Sequence, residues 1–418
     1  MIKRLTLHNW KSFSDAQLEI DPLTVLIGTN ASGKSNALDA ILFLHRISTG
    51  VSLTEALSGN ASLPPLRGGL EWAALKGERG FSLSVLVEGE EKTDYEYNVT
   101  VAINDSKCII ASEYLLRRRY RTENRGGRPY EIYLFWTDGC QDDSPGITAR
   151  LYNEKRGAPR QSLRSHAILS QLGQQTLRKE ITDGVEQVTS MLRGIFILDP
   201  IPANMRGFSS FSDTFNHDAS NIAGVIAALS IKKKRELEAA IKKYMRRLPE
   251  RDILRIWAEP VGRFRSDAIL YCEEGWRQEG ASEELVDSRG MSDGTLRFLA
   301  ILTALITMPV GNLLVIEEVD NGLHPSRAGL LVSMLKEIGA ERKVDVLATT
   351  HNPALLDALG PEMIPYVTVS HRDPETGHSQ LTLLEDVPHL PRLLAMGSVG
   401  RLSSSGKLEQ AISGREGE

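Results

Sequence analysis

The segment Gly28-Thr-Asn-Ala-Ser-Gly-Lys-Ser35 has the spacing of a phosphate-binding loop, in which two glycines let backbone N–H groups turn inward around an anion. In such a loop Lys34 reaches the β- and γ-phosphates of a nucleoside triphosphate, and Ser35 offers its hydroxyl to Mg²⁺. Asn30, Ala31, Ser32, Gly33 and Asn36 complete the cradle around the phosphates. The segment follows the apolar run Leu23-Thr-Val-Leu-Ile27 and precedes a stretch, 36–45, with the apolar density of a helix. That is the strand–loop–helix context this chemistry requires.

A second set of reactive groups lies far downstream. Glu317-Glu318 ends the apolar run Leu313-Leu-Val-Ile316, and ligands of open α/β sheets bind at the carboxyl ends of such strands. One carboxylate can hold Mg²⁺ while the other orients or deprotonates an attacking water, and we assign Glu317 to the metal and Glu318 to the base. His351 follows the next apolar run, 344–350, and is expected at the same edge, within reach of the γ-phosphate or the water. Ser292-Asp-Gly-Thr295 opens an apolar helical stretch, 296–308, with Ser292 placed as an N-cap. Taken alone it is a helix cap. Taken with the other motifs, Ser292, Asp293, Gly294 and Thr295 form an anion site with no phosphate of their own.

These residues need a sheet to hold them. Residues 2–8 and 16–20 read as short strands around a turn at 9–15, and 81–103 alternates apolar and polar across a hairpin break at 88–92. Between 112 and 160 the composition becomes irregular, with Arg117-Arg-Arg-Tyr-Arg121 and Gly126-Gly127, and reads as an insertion of exposed strands and loops. Residues 161–192 and 219–248 read as helical. Within the latter, 231–248 carries one apolar stripe with lysines and arginines outside it, too short for a coiled-coil arm. From 295 onward helix and apolar strand alternate, the rhythm of a parallel sheet with covering helices.

Composition narrows the classes of function. The chain has 418 residues with 49 basic and 54 acidic side chains, so no global field draws it to nucleic acid and any such contact must come from a local patch. The arginines at 117–121, with Arg125 and Arg128, leave three readings open: a nucleic-acid backbone, a protein partner, or a solvated insertion. The basic face of 231–248 leaves the same three. Cys108, Cys140 and Cys272 are far apart, which argues against a disulfide framework or a zinc site. No signal-peptide core and no run of about 20 apolar residues is present, so a soluble cytoplasmic protein is expected.

At this point the chain resembles the ABC-type ATPase heads of the RecF, SMC and OLD-like ATPases. The matching pieces are Asn9-Trp-Lys-Ser-Phe13, the loop 28–35 as Walker A, 292–295 as signature, 313–318 as Walker B, Asn321-Gly-Leu-His-Pro325 as D-loop and Thr350-His-Asn-Pro353 as switch region. The combination looks most like the prokaryotic AAA-21-type ATPases associated with phage defence. The resemblance implies an α/β fold: an ABC-ATPase head with a parallel core sheet, an N-terminal antiparallel β subdomain, and a helical signature lobe with an insertion and no long coiled coil. Its parts are expected at 1–110, 111–250 and 251–402, with a disordered tail at 403–418.

The resemblance further implies ATP and Mg²⁺ as cofactors and a head-to-tail homodimer, in which ATP held by Lys34 and Ser35 of one subunit is covered by Ser292 and Gly294 of the other. Slow hydrolysis would gate a separate effector protein, a nuclease or toxin, in antiphage defence. Rival expectations are a RecF-like ATPase acting directly on DNA and an ATP-dependent scaffold sequestering a toxic effector. The stretch after His351 is shorter than the ~100 residues a fused nuclease domain would need. Two positions depart from the pattern: Glu317 stands where many such heads have Asp, and His324 where SMC-type D-loops have Asp. The family also places a glutamine near the metal, for which Gln161, Gln171, Gln174 and Gln175 are open, and Arg67 is a phosphate-contact candidate.

Overall fold

The computed structural model describes residues 1–104, 107–121, 128–140, 144–245, 253–275 and 284–412. They form two compact units: residues 1–21, 27–195 and 368–383 make the first, and 22–26, 196–367 and 384–418 the second.

Alternation builds the first unit. Phe81, Leu83, Val85 and Val87 are buried on one face of Gly80–Glu88, with Ser82 and Ser84 on the other, as a half-buried strand of period two requires. The eight strands lie in the order Phe13–Glu19, Ile2–Trp10, Gly80–Glu88, Thr93–Asn104, Lys107–Arg119, Tyr130–Thr137, Gly146–Leu151 and Ala158–Leu163. All the pairings are antiparallel. The helix Lys34–Ser48 packs on this sheet through an aromatic cluster, Trp10 and Phe43 each meeting Phe81 with ring centroids 4.7 and 5.4 Å away. A second helix, Lys179–Arg193, lies beside it, where Leu192 O meets His45 Nδ1 at 2.9 Å. A β-carbon at Gly184 would come within 2.3 Å of Leu134. Only glycine lets that helix approach the sheet so closely.

Three sequence expectations change here. The turn expected at 9–15 is a tight hairpin in which Trp10 pairs with Phe13, and both rings are fully buried. The stretch 112–160, read as an insertion of exposed strands and loops, carries strands that continue the first sheet: Tyr130–Thr137 and Gly146–Leu151 whole, with parts of Lys107–Arg119 and Ala158–Leu163. Register shifts between Thr100 and Val101 and between Leu115 and Leu116 break the strict period, so the strands look irregular in sequence. Part of the expected helix at 161–192 is the exposed edge strand Ala158–Leu163, whose polar residues carry no apolar alternation; helices follow at Ile168–Leu172 and Lys179–Arg193. At the tail expected to be disordered from 403, a helix spans Lys407–Ile412 and Leu408 is buried. Arg125, Gly126 and Gly127 lie outside the described residues.

In the second unit the strands Ile195–Leu198, Leu313–Ile316, Asp345–Thr350 and Leu23–Ile27 lie side by side in that order. Leu313–Ile316 runs parallel to Asp345–Thr350, and all four of its residues are buried. The helix Asp293–Thr307 is buried around most of its circumference, as a helix enclosed within a core must be. A small antiparallel sheet places Asp267–Glu274 between Ile253–Val261 and Ser209–Ser210. The helix expected over 219–248 is two, Ile222–Ala228 and Ile231–Met245, and residues 246–248 lie outside the described residues. Leu237, Ile241 and Tyr244 form its buried stripe. Its basic residues are partly spent on the unit itself: Lys233 and Lys234 donate to the carbonyls of Thr307 and Ala227, and Lys243 pairs with Glu337. Among the described residues no helix is long and apolar enough to cross a membrane.

One buried acid of the first unit makes a stability prediction. Burial pushes the Glu113 carboxyl up to about 7, opposed by hydrogen bonds from the Leu169 and Ile168 N–H groups and the Tyr97 hydroxyl. The native state therefore keeps this proton at pH values where the unfolded chain has lost it, and stability declines as pH rises from the ordinary carboxylate range toward 7. The decline is expected to be on the order of 3 kcal/mol and to flatten in Glu113→Gln. Denaturant midpoints of both proteins across that range check it. Parallel curves would remove Glu113 as the cause.

Candidate functional site

The phosphate loop is shaped by two glycines that no other residue can replace. Gly28 has φ 147°, and a β-carbon there would lie 2.2 Å from the Ser370 carbonyl oxygen. Gly33 has φ 121°, and its β-carbon would meet Ser379 Oγ at 2.6 Å and the Phe13 ring at 2.9 Å. Ala31 is also left-handed, at φ 65°, and its carbonyl accepts from Arg372 Nε at 3.0 Å. Backbone N–H groups that alternate into left-handed conformations make an anion-binding concavity. Lys34 is buried, with Nζ 2.7 and 2.9 Å from the carbonyls of Gly28 and Thr29. The helix behind it has no side-chain cap and no acid in its first turn, so the positive end of its dipole is not neutralised locally.

The residues fit a phosphate group. Ser32 Oγ is buried and has no hydrogen-bond partner among the described residues, although a buried hydroxyl normally has one. The N-terminal motif braces the loop from behind: Trp10 Nε1 donates to Asn36 O at 2.7 Å, and Asn36 Nδ2 donates to Ser12 Oγ at 2.7 Å. Lys11, at φ 50°, is buried against Asp39 at 2.6 Å; burial lowers the pKa of its ammonium, and Asp39 pulls it back up. A cavity of about 990 Å³ adjoins the brace, lined by Lys11, Ser12, Asn36, Arg67, Trp72 and Arg372 among others. The Arg67 of the sequence analysis thus stands in a cavity shared with Asn36.

In the second unit the parallel register pairs Ile316 with Ala348 and brings the ends of the two strands to one edge. Glu318 there has φ 47°, a left-handed conformation that costs a non-glycine residue about 1–2 kcal/mol. Four contacts hold it: its N–H donates to Thr349 Oγ1 at 2.9 Å, its carbonyl accepts from Asn321 N at 2.9 Å, its Oε2 accepts from Asn321 Nδ2 at 3.2 Å, and its Oε1 lies 3.8 Å from His351 Nδ1. Both carboxylate and imidazole remain about half exposed. Asp320 is buried and accepts from Thr350 Oγ1 at 2.6 Å, tying the two strand ends together. Glu317 is half-buried beside it.

Ser292 caps the helix Asp293–Thr307, with Oγ accepting from Thr295 N at 3.1 Å. Ser292 and Asp293 are exposed, while Gly294 and Thr295 are buried. A β-carbon on Gly294 would lie 3.0 Å from Gly322 O, so the 292–295 turn packs on the 321–325 loop. His324 caps its own turn, its Nδ1 accepting from Ser326 N.

Arg206 was not found by sequence reasoning. Its Nη1 donates to the carbonyls of Ser288, Arg289 and Met291, its Nη2 pairs with Asp293, and Ser288 Oγ donates to the Arg206 carbonyl. Backbone carbonyls carry no side-chain signal, which is why no spacing rule exposes it. Three of the candidate glutamines bond nearby residues: Gln161 donates to Thr148 Oγ1, Gln171 closes the turn between Leu163 and His166, and Gln175 donates to Gln171 O. Neither their geometry nor that of Gln174 singles one out.

Residues 23–357 match the family described as "AAA domain, putative AbiEii toxin, Type IV TA system". A DNA replication and repair protein RecF of Paenarthrobacter aurescens (strain TC1) is 31% identical over 121 residues, 27% of each chain. The RecF of Acidothermus cellulolyticus is 35% identical over 78 residues, 18% of this chain and 19% of that one. The matched segments thus span about a quarter or less of those relatives' length. Among solved structures, the SMC head domain from Thermotoga maritima aligns over 91% of this chain and 98% of its own, with TM-score 0.41 and 14% identity. A Pyrococcus furiosus Smc head bound to the C-terminal domain of ScpA aligns over 94% and 98%, with TM-score 0.45 and 13% identity. The phosphate loop, the acidic strand end and the matched family agree: the chain belongs to the AAA domain family so described.

Proposed function

We propose that this ATPase hydrolyses ATP at a site completed by a second copy of itself, and that the resulting dimer contact gates a separate effector protein in antiphage defence. The observation that carries the chemical part is the clamp on Glu318. A strained backbone held by Thr349 and Asn321 points to a carboxylate whose position matters more than its cost. In this reading Lys34 and the N–H groups of 28–35 bind the triphosphate, Glu318 takes the proton of the attacking water, and His351 hydrogen-bonds the water or the γ-phosphate.

Ser35 and Glu317 offer the oxygen donors that suit Mg²⁺, which keeps several waters and uses one or two protein ligands. Among the described residues there is no cluster of three or more His, Cys, Asp or Glu that would favour another metal. When bound, Mg²⁺ neutralises charge on the phosphates.

Exposure of Ser292 and Asp293 at a capped helix start supports the shared site, with Arg206 pairing the Asp293 carboxylate that would otherwise oppose an anion there. Arg206 sets the shape of that terminus. In Arg206→Ala, ATP binding by a single subunit is expected to stay near wild type, while hydrolysis falls about tenfold or more as the charged hydrogen bonds that order 288–293 are lost. Nucleotide titration beside steady-state turnover separates the two. Equal loss of both would mean that Arg206 merely supports the fold.

The family description, with its toxin and toxin–antitoxin terms, favours the effector reading. The RecF relatives favour a second one, an ATPase of DNA maintenance acting on DNA directly. Purification from its own cells distinguishes them: a protein that copurifies and leaves on adding Mg-ATP supports gating, whereas duplex DNA retained in its place supports the alternative.

A further inference from the structure

The phosphate loop is held by residues that come much later in the chain. The strands Val367–Arg372 and Ser379–Leu383 form an antiparallel hairpin, and its residues from 368 on belong to the first unit, as the loop does. Ser370 O stands where a β-carbon of Gly28 would lie, and Ser379 Oγ where one of Gly33 would. Between these two close approaches, Arg372 Nε donates to the carbonyl of Ala31, 341 positions away, at 3.0 Å. Ala31 is the left-handed residue of the loop that is not a glycine, at φ 65°.

Nothing about alanine favours that conformation, so its surroundings must hold it. Packing does not, because Thr29, Asn30 and Ala31 are all exposed. Lys34 Nζ reaches the carbonyls of Gly28 and Thr29, and the two glycine contacts fix the ends of the loop. The hold on the Ala31 carbonyl is Arg372. That guanidinium is aimed by a second bond, Nη1 donating to Gly377 O at 2.6 Å. The turn that presents Gly377 is itself bonded internally: Gly377 N donates to Asp373 O at 2.9 Å, and Asp373 Oδ1 accepts from Thr376 N at 2.7 Å and from Glu375 N at 3.1 Å. Two donors of one planar fork thus join this turn to a strained peptide, a geometry that a single ammonium does not reproduce. Release of the Ala31 carbonyl would let its peptide rotate, and with it the N–H groups of the concavity. Binding is then weaker, because the loop must be ordered when the anion arrives rather than before.

We propose that Arg372 is a positioning residue for nucleotide binding, holding Ala31 left-handed so that the loop keeps its anion-binding shape; this rests on the reading of 28–35 as the triphosphate cradle. The test is titration of the whole protein with a fluorescent ATP analogue, beside steady-state turnover. Arg372→Ala is expected to weaken binding and raise KM about tenfold, the worth of a charge-assisted hydrogen bond. Its kcat at saturating ATP should stay within about twofold of wild type, because the loop grips the phosphates alike in the ground and transition states. Arg372→Lys keeps the charge without the fork and should remain at least about fivefold weak. Ala31→Gly added to Arg372→Ala should restore binding to within about twofold, since glycine takes a positive φ unaided. A merely structural role would lower kcat and the nucleotide-free melting temperature together, and glycine would not relieve it. That result, wild-type binding in Arg372→Ala, or full recovery in Arg372→Lys overturns the assignment. Lys34→Ala measured alongside separates the two levels: if it too binds normally, the cradle reading fails, and if it alone is impaired, only the role of Arg372 does.

Discussion

Glu318→Gln is expected to bind Mg-ATP as the wild type does, to lose turnover by about 10²–10⁴-fold, and to accumulate as an ATP-bound dimer. The substitution is nearly isosteric, and its amide oxygen can still accept from Asn321 Nδ2. The backbone bonds to Thr349 and Asn321 do not involve the side chain, so the strained conformation survives. What disappears is a group able to take a proton. Mass measurement with and without nucleotide, alongside phosphate release, reads both effects. Turnover that survives in this variant would move the base elsewhere and leave Glu318 a structural residue at the strand end.

Lys34→Ala is expected to weaken ATP binding by about 10- to 100-fold, the worth of a charge-assisted hydrogen bond to phosphate in a partly buried site. Part of that loss comes through the loop, since Lys34 Nζ also donates to the carbonyls of Gly28 and Thr29, while the close approaches of Gly28 to Ser370 and Gly33 to Ser379 remain. Gly28→Ala tests the other half of the argument. Its β-carbon would strike the Ser370 carbonyl, so binding should fall in that variant with Lys34 intact. Titration with a fluorescent ATP analogue measures both. Binding undisturbed in Lys34→Ala would show that the nucleotide is held elsewhere.

How much of this was legible in the sequence depended on whether the determining interactions were local. The phosphate loop was, since its strand, its glycines and its helix are contiguous. The common edge of Glu318 and His351 was also legible, because two buried runs in an α/β rhythm place their carboxyl ends together once they pair in parallel. The strands between Lys107 and Leu163 were legible only as exposed strands, without their bounds or their place in the sheet. Bulges shift their period, and polar or aromatic residues on the open face hide the alternation. Arg206 was illegible for another reason: its partners are backbone carbonyls more than eighty positions away, and no residue type announces them. Nor could the sequence announce the strain at Glu318, since nothing in a glutamate marks it for a left-handed backbone.

The central claim is that one copy of the chain completes the ATP site of another, and mixing two inactive variants tests it most directly. Lys34→Ala removes the phosphate lysine and leaves Ser292 intact, whereas Ser292→Arg spoils the capped helix start and leaves the loop intact. If the site is shared, each variant alone is inactive and an equimolar mixture recovers about a quarter of wild-type turnover, because half the dimers carry one good site of two. A mixture as inactive as its parents, with mixed dimers shown to form, would contradict the account.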